Sequence, residues 1–215
     1  MIDLSFALIR EGTSDDGLVA HIRSLLILAG ASSALGAART YKGTTQERLA
    51  AVMAEVDVVD MIFVHRDADD RNHVPRVEEI TVAATSTACL ERVVPVVPVQ
   101  ELEAWLLTDA MAIRNVVGNP KGTSNLGLPA IRNIETTSSP KEILESACIA
   151  ASDTSGKRRR KVVTQFPRYR GTLLDRLDSA GGVMQLASWA RFVADTRNAA
   201  AAVIAAKGSA AATGA

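Results

Sequence analysis

The sequence predicts an α/β fold: a parallel sheet flanked by helices, followed by a mainly helical C-terminal region. Three observations lead there. Apolar, β-branched runs alternate with segments of helical spacing along the first half of the chain, the rhythm of right-handed strand–helix–strand crossovers. The run from Val58 to Val64 is mostly apolar and β-branched, as expected of a strand covered on both faces. After Asp109 the strand-like runs stop and helix-start signals take over.

Taken in order, Ile2 to Ile9 reads as the first strand and Arg10-Glu11-Gly12-Thr13 as its turn. Thr13-x-x-Asp16 resembles a capping box with Asp in place of Glu, after which Leu18, Ile22, Leu25 and Leu26 recur at helical spacing. A short second strand is expected near Leu35 to Thr40. Thr44-x-x-Glu47 opens the next helix, with Leu49, Val52 and Met53 on one face. The strand Val58 to Val64 follows, and Val74-Pro75 starts another helix, Pro being well placed in a first turn. Val93 to Val99 is the last strand, its Pro95 and Pro98 marking an edge or a bulged end. Glu101 to Thr108 and Asp109 to Val117 read as helical, and Asn119 to Ser139, rich in Gly, Asn, Ser and Thr, as a loop. Ser139-Pro140-Lys141-Glu142 carries a capping box with Pro at the first position. A basic segment comes next, then a helix from about Gly182 to Ala206. The expected organisation is an α/β domain over 1–109, a helical region over 110–206 packed on it, and a flexible tail over 207–215.

Composition bounds the function. The chain has 215 residues, with Lys plus Arg (24) balanced by Asp plus Glu (24), so any nucleic-acid surface must be local. Aromatics are only 4%, which argues against a base-stacking platform of several rings. Cys89 and Cys148 are far apart and lack metal-ligand spacing; each reads as a small buried hydrophobe in a reducing compartment. Neither a signal peptide nor a membrane-spanning run is evident, so a cytoplasmic location with no membrane partner is expected.

Three acidic groups fall just after expected strands: Glu11, then Asp67 and Asp69, then Glu101 and Glu103. In a parallel sheet the carboxyl ends of strands share one edge, so these residues are expected to converge. Gathered carboxylates repel, and a hard divalent cation relieves this, Mg²⁺ needing few protein ligands because it keeps water. Taken singly, each group also has a plain reading. Glu11 is a turn residue, Asp67 and Asp69 belong to a loop before a helix, and Glu101 and Glu103 are first-turn acids favoured by the helix dipole. Their shared position favours a site. His21 and His73 read as a structural residue and a loop residue, and His65 as a buried, hydrogen-bonded residue. No zinc-ligand spacing joins them. Lys157-Arg158-Arg159-Arg160-Lys161 is the strongest basic run, a solvated loop or a track for a phosphate backbone.

The strings Leu8-Ile9-Arg10-Glu11-Gly12 and Val64-His65-Arg66-Asp67-Ala68-Asp69 resemble the TOPRIM domain of topoisomerases, primases and overcoming-lysogenization-defect nucleases. The string Pro98-Val99-Gln100-Glu101-Leu102-Glu103-Ala104-Trp105-Leu106-Leu107, with Pro140-Lys141-Glu142-Ile143-Leu144 beyond it, is similar to a bacterial TOPRIM-like family often encoded beside an AAA- or ABC-type ATPase in anti-phage loci. The resemblance implies a TOPRIM-like sheet and a Mg²⁺- (or Mn²⁺-) dependent nuclease acting on DNA or RNA. It implies Glu11 as a metal ligand or general acid/base, Asp67 and Asp69 as the metal pair, and Glu101 and Glu103 in support of a second ion. Lys141 would stabilise phosphoryl charge. Asp15 stands where related nucleases commonly carry a second acid, usually Glu. Trp105, on an apolar helix, reads as core.

Two other readings compete. The chain is then a non-catalytic subunit that docks on a partner ATPase, or a phosphatase using Asp67 as nucleophile. The latter wants Thr or Val where Arg71 stands and leaves Glu11 without a job. The Ala-rich stretch Ala187 to Ala206 offers a face to its own domain or to a second copy, so a homo-oligomer is among the partners allowed.

Overall fold

A computed structural model describes residues 1–55 and 59–213, and for 157, 158 and 211–213 the backbone alone. Four parallel strands form the sheet: β1 (Asp3–Ile9), β2 (Ser33–Arg39), β3 (Met61–His65) and β4 (Val93–Val96), in the order β2-β1-β3-β4. Helices α1 (Leu18–Leu28), α2 (Thr45–Glu55) and α3 (Val74–Ser86) make the crossovers. Beyond β4 come α4 (Glu103–Leu106), α5 (Ala110–Val116), α6 (Pro140–Ser152), α7 (Gly156–Asp175) and α8 (Ala187–Thr213). The α/β class, the parallel sheet and the helical C-terminal region are as the sequence predicts.

The chain divides into two compact units. The first comprises Met1–Arg66, Val74–Val97 and Arg191–Ala215; the second comprises Asp67–His73 and Pro98–Ala190. Within the first unit β3 is buried along its whole length, the reason its sequence is apolar throughout. Val58, the expected start of this strand, lies outside the described residues. Phe6 and Phe63 meet edge-to-face at 5.8 Å, and Phe192 of α8 meets Phe63 at 6.3 Å. Pro95 sits in an edge strand, where its missing N–H interrupts no ladder. The expected extension of β4 to Val99 ends at Val96, just before Pro98.

Gly36 in β2 is required by packing. A Cβ there would stand 2.5 Å from the ring of Phe6, which is buried at 2% exposure and has nowhere to move. Gly36→Ala should therefore lower stability by about 1–3 kcal/mol. Unchanged urea unfolding of this variant would contradict that packing.

Asp60, just before β3, binds α8 to the start of the sheet. Its Oδ2 accepts from Lys207 Nζ (2.7 Å), Ser5 N–H (2.7 Å) and Ser5 Oγ (3.0 Å). Burial on its own would raise this carboxyl, but the Lys207 and Ser5 hydrogen bonds outweigh it and hold it below its ordinary 3.8. A depressed carboxylate contributes stability that is present above its unfolded pKa and lost as pH falls through the folded one. Wild type should therefore lose an advantage over Lys207→Met as pH drops below about 4. The Lys207 side chain is 40% exposed, so the difference should stay under about 1 kcal/mol. A gap between the two that does not narrow on acidification would refute the pairing.

In the second unit Trp105 is fully buried. Its Nε1 donates to Ser188 Oγ at 2.8 Å and its ring meets Trp189 edge-to-face at 4.9 Å. The basic segment Lys157–Lys161 opens α7, a helix the sequence reading had not separated, and so is not a loop. Its core face is Val162, Phe166, Leu173 and Leu174 together with Arg170, and Arg170 interrupts the apolar stripe that would have announced it. Cys148 is a free thiol that burial pushes up to about 12, and Cys89 is likewise free and buried.

Candidate functional site

The first unit carries a charged cluster past the carboxyl ends of β1 and β3. Arg66, one residue beyond β3, donates through Nε to Glu11 Oε1 (2.5 Å) and through Nη1 to Thr45 Oγ1 (2.8 Å) and Glu79 Oε1 (2.9 Å). Thr45 opens α2 and Glu79 lies on α3, so one guanidinium joins a strand turn to two helices. Thr45 also hydrogen-bonds Glu79, and Arg76 Nη1 stands 2.5 Å from Glu79 Oε2. Burial would raise the Glu79 carboxyl, yet Thr45, Arg76 and Arg66 together hold it below the usual range. Glu11 is partly exposed and pairs with Arg66.

Beside this cluster is a second pair. Asp15 is buried, accepts the Gly12 N–H through Oδ2 (3.1 Å) and faces His65 Nδ1 at 3.3 Å. The expected box from Thr13 to Asp16 is thus corrected. The chain makes a tight turn over Thr13–Asp15, and it is Asp15 that reaches back, while Asp16 pairs with Arg10 at 2.6 Å. By contrast, the Thr44–Glu47 box forms in both directions: Thr44 N–H to Glu47 Oε2 (2.7 Å) and Glu47 N–H to Thr44 Oγ1 (3.3 Å).

The second unit holds the remaining acids. Asp67 Oδ1 accepts the Leu102 N–H at 2.9 Å. Asp69 and Gln100 take left-handed backbone (φ 56° and 62°), and the Asp69 N–H donates to the Gln100 carbonyl at 2.9 Å. These bonds clamp the loop after β3 to the loop after β4. Glu101 Oε2 accepts the backbone N–H of Lys141 (3.0 Å) at the first turn of α6. Glu101 thereby occupies the helix start that Ser139 was expected to cap. Ser139 lies at φ 54° and makes no side-chain cap. The Lys141 side chain is exposed. Glu103 is buried and accepts Arg170 Nε at 2.7 Å.

The electrostatics of this group are uneven. Burial, and then the negative charges of Glu103 and Asp67, push the Glu101 carboxyl up, against the opposing Lys141 N–H and charge. Arg170 pairs with Glu103. Among the described residues no three His, Cys, Asp or Glu side chains close around one point as a ready metal cage. Asp67 and Glu101 nonetheless fit a hard divalent cation that keeps most of its water: both are oxygen donors, each has one oxygen held by a backbone N–H, and their charges repel. Arg159, Arg160 and Lys161 are exposed at the start of α7; the side chains of Lys157 and Arg158 lie outside the described residues. Arg170 was missed as a site residue because it is 67 positions from Glu103. Arg66 was visible only as part of a string.

The fold and these groups define an α/β protein with a four-stranded parallel sheet and charged clusters past its strand ends. A family model described as a domain of unknown function, DUF4276, matches residues 19–178, and the chain belongs to that family. The matched span takes in Asp67, Asp69, Glu101, Glu103, Lys141 and Arg170 and begins after Glu11. No curated protein and no solved structure matches the chain. No helix among the described residues is long and apolar enough to cross a membrane.

Proposed function

We propose that the chain is a TOPRIM-type nuclease that uses Mg²⁺ or Mn²⁺ to hydrolyse phosphodiester bonds of DNA or RNA, as the effector of an ATPase-associated anti-phage system. The observation that carries this reading is the meeting of the loops after β3 and β4, where Asp67 and Glu101 are each held by a backbone N–H and burial, with Glu103 and Asp67, pushes the Glu101 carboxyl up. It marks a place where negative charge is built in excess. A divalent ion held by Asp67 and Glu101 would supply an acidified water and stabilise phosphoryl oxygens. The Leu102 and Lys141 N–H groups orient these two carboxylates. Arg170 holds Glu103 in place behind them, and Asp69 follows on the same clamped loop. The Lys141 ammonium is the cation available to a phosphoryl group. Glu11, which pairs with Arg66, is carried by the first unit.

A second reading, a non-catalytic subunit that binds a partner ATPase, is favoured by Leu28 and Leu35 of the first unit, 80% and 70% exposed. The deciding experiment incubates the purified chain with supercoiled plasmid and total tRNA in Mg²⁺, Mn²⁺ or EDTA. Cutting that EDTA abolishes supports the nuclease and names its substrate. Intact substrates in both metals, with metal binding seen by calorimetry, would sink the catalytic claim and leave copurification with the ATPase as the test of the other.

A further inference from the structure

Helix α7 has two chemically distinct sides. At about 100° per residue, Val162, Phe166, Arg170, Leu173 and Leu174 gather on one side, and all are buried. Lys161, Thr164, Arg168 and Thr172 gather on the other, within an arc of about 80°. Tyr169 stands on the flank between the two sides and borders two clefts. One, of about 560 Å³, is also lined by Lys161 and Gln165. The other, of about 360 Å³, is lined by Asn115, Val116, Arg168, Tyr169, Thr172 and Arg176. The Tyr169 hydroxyl donates to Gln165 Oε1 at 2.7 Å, which fixes the ring by its outer edge. The Arg170 beside it is turned inward onto Glu103 and takes no part in this surface.

We propose that these paired clefts bind single-stranded nucleic acid, one base stacking on Tyr169 while the flanking phosphates meet Lys161 on one side and Arg168 and Arg176 on the other. Cations separated by an aromatic ring match a strand whose phosphates and bases alternate. Eight residues of helix, about 12 Å of axis, part Arg168 from Arg176. That leaves room for a nucleotide between two guanidinium-bound phosphates. A duplex keeps its bases stacked inside and has none to offer a half-buried ring. An acidic peptide would satisfy the cations but not the ring. The inference rests on the nuclease reading for its biological meaning and specifies that reading's substrate; the binding itself is tested without cleavage.

The full chain, in EDTA, is titrated into a fluorescein-labelled oligo(dT) of 12 nucleotides and followed by anisotropy. A duplex of equal length and poly-L-glutamate serve as competitors. The expected result is single-strand binding that neither competitor matches. Arg168→Gln/Arg176→Gln should weaken it at least tenfold and flatten the slope of log K against log salt by about 1.4, two phosphates at about 0.7 each. Tyr169→Leu should weaken it roughly tenfold with the slope unchanged, and Tyr169→Phe should bind as wild type. Circular dichroism melting confirms that each variant is folded; the surface arginine pair carries the test if Tyr169→Leu is not. Wild-type affinity in the arginine variant, equal binding of duplex or poly-L-glutamate, or no binding by wild type overturns the proposal. Arginine- and tyrosine-dependent binding without metal-dependent cleavage upholds it and removes the nuclease reading. Cleavage unaffected by these substitutions does the reverse.

Discussion

On the nuclease reading, replacing Asp67 with asparagine should reduce metal-dependent cleavage about a thousandfold, the several kcal/mol that a bound cation contributes to phosphoryl transfer. Asparagine keeps a carbonyl oxygen for the Leu102 N–H, so the bond at 2.9 Å survives and the loop after β3 remains clamped. What disappears is one negative charge and one anionic donor. The melting temperature should hold within a few degrees while metal affinity, read by calorimetry, falls with activity. Cleavage at the wild-type rate in Asp67→Asn would remove this carboxylate from the mechanism. Loss of activity together with loss of the fold would assign it to structure alone.

Arg170→Met is expected to destabilise the protein by about 3–5 kcal/mol, because it removes the cation paired with the buried Glu103. Both members are hidden, with side chains 9% and 4% exposed, so solvent screens the pair weakly. The partner substitution makes the reasoning testable. Arg170→Met combined with Glu103→Leu removes both charges and should recover most of the loss, since an apolar pair of similar volume often replaces a buried ion pair at no net cost. Urea midpoints of the four proteins give the coupling directly. A single variant that loses less than about 1 kcal/mol, or a double variant no better than the single, would overturn the account.

The parts of this fold that could be read in advance are those whose cause is local. Residues 61–64 are apolar because the strand is covered on both faces, and the Thr44–Glu47 box is a three-residue interaction that forms as written. β2 was harder to delimit: Ser-Ala-Leu-Gly-Ala-Ala-Arg has no β-branched residue, and its Gly answers a ring from the neighbouring strand. Helix α7 was hidden by Arg170, which takes a core position where periodicity expects an apolar side chain. The same separation governs the candidate site. Acids after strands are visible in order along the chain. That Arg66 joins Glu11 to α2 and α3, that Glu101 rather than Ser139 meets the start of α6, and that Arg170 holds Glu103 are tertiary facts. No spacing rule encodes them.

The chain leaves the first unit after Arg66, returns at Val74, leaves after Val97 and returns only at Arg191. Its final segment brings Phe192 to Phe63 and Lys207 to Asp60. During synthesis, the strands of this unit are therefore complete long before the helix that closes their core has been translated. The nascent sheet must wait, with Phe63 uncovered, while the whole second unit emerges. Vectorial synthesis thus has a later segment finish the core that an earlier one begins. A chain shortened before Arg191 would release a sheet with its aromatic core open, a natural target for chaperones and proteases.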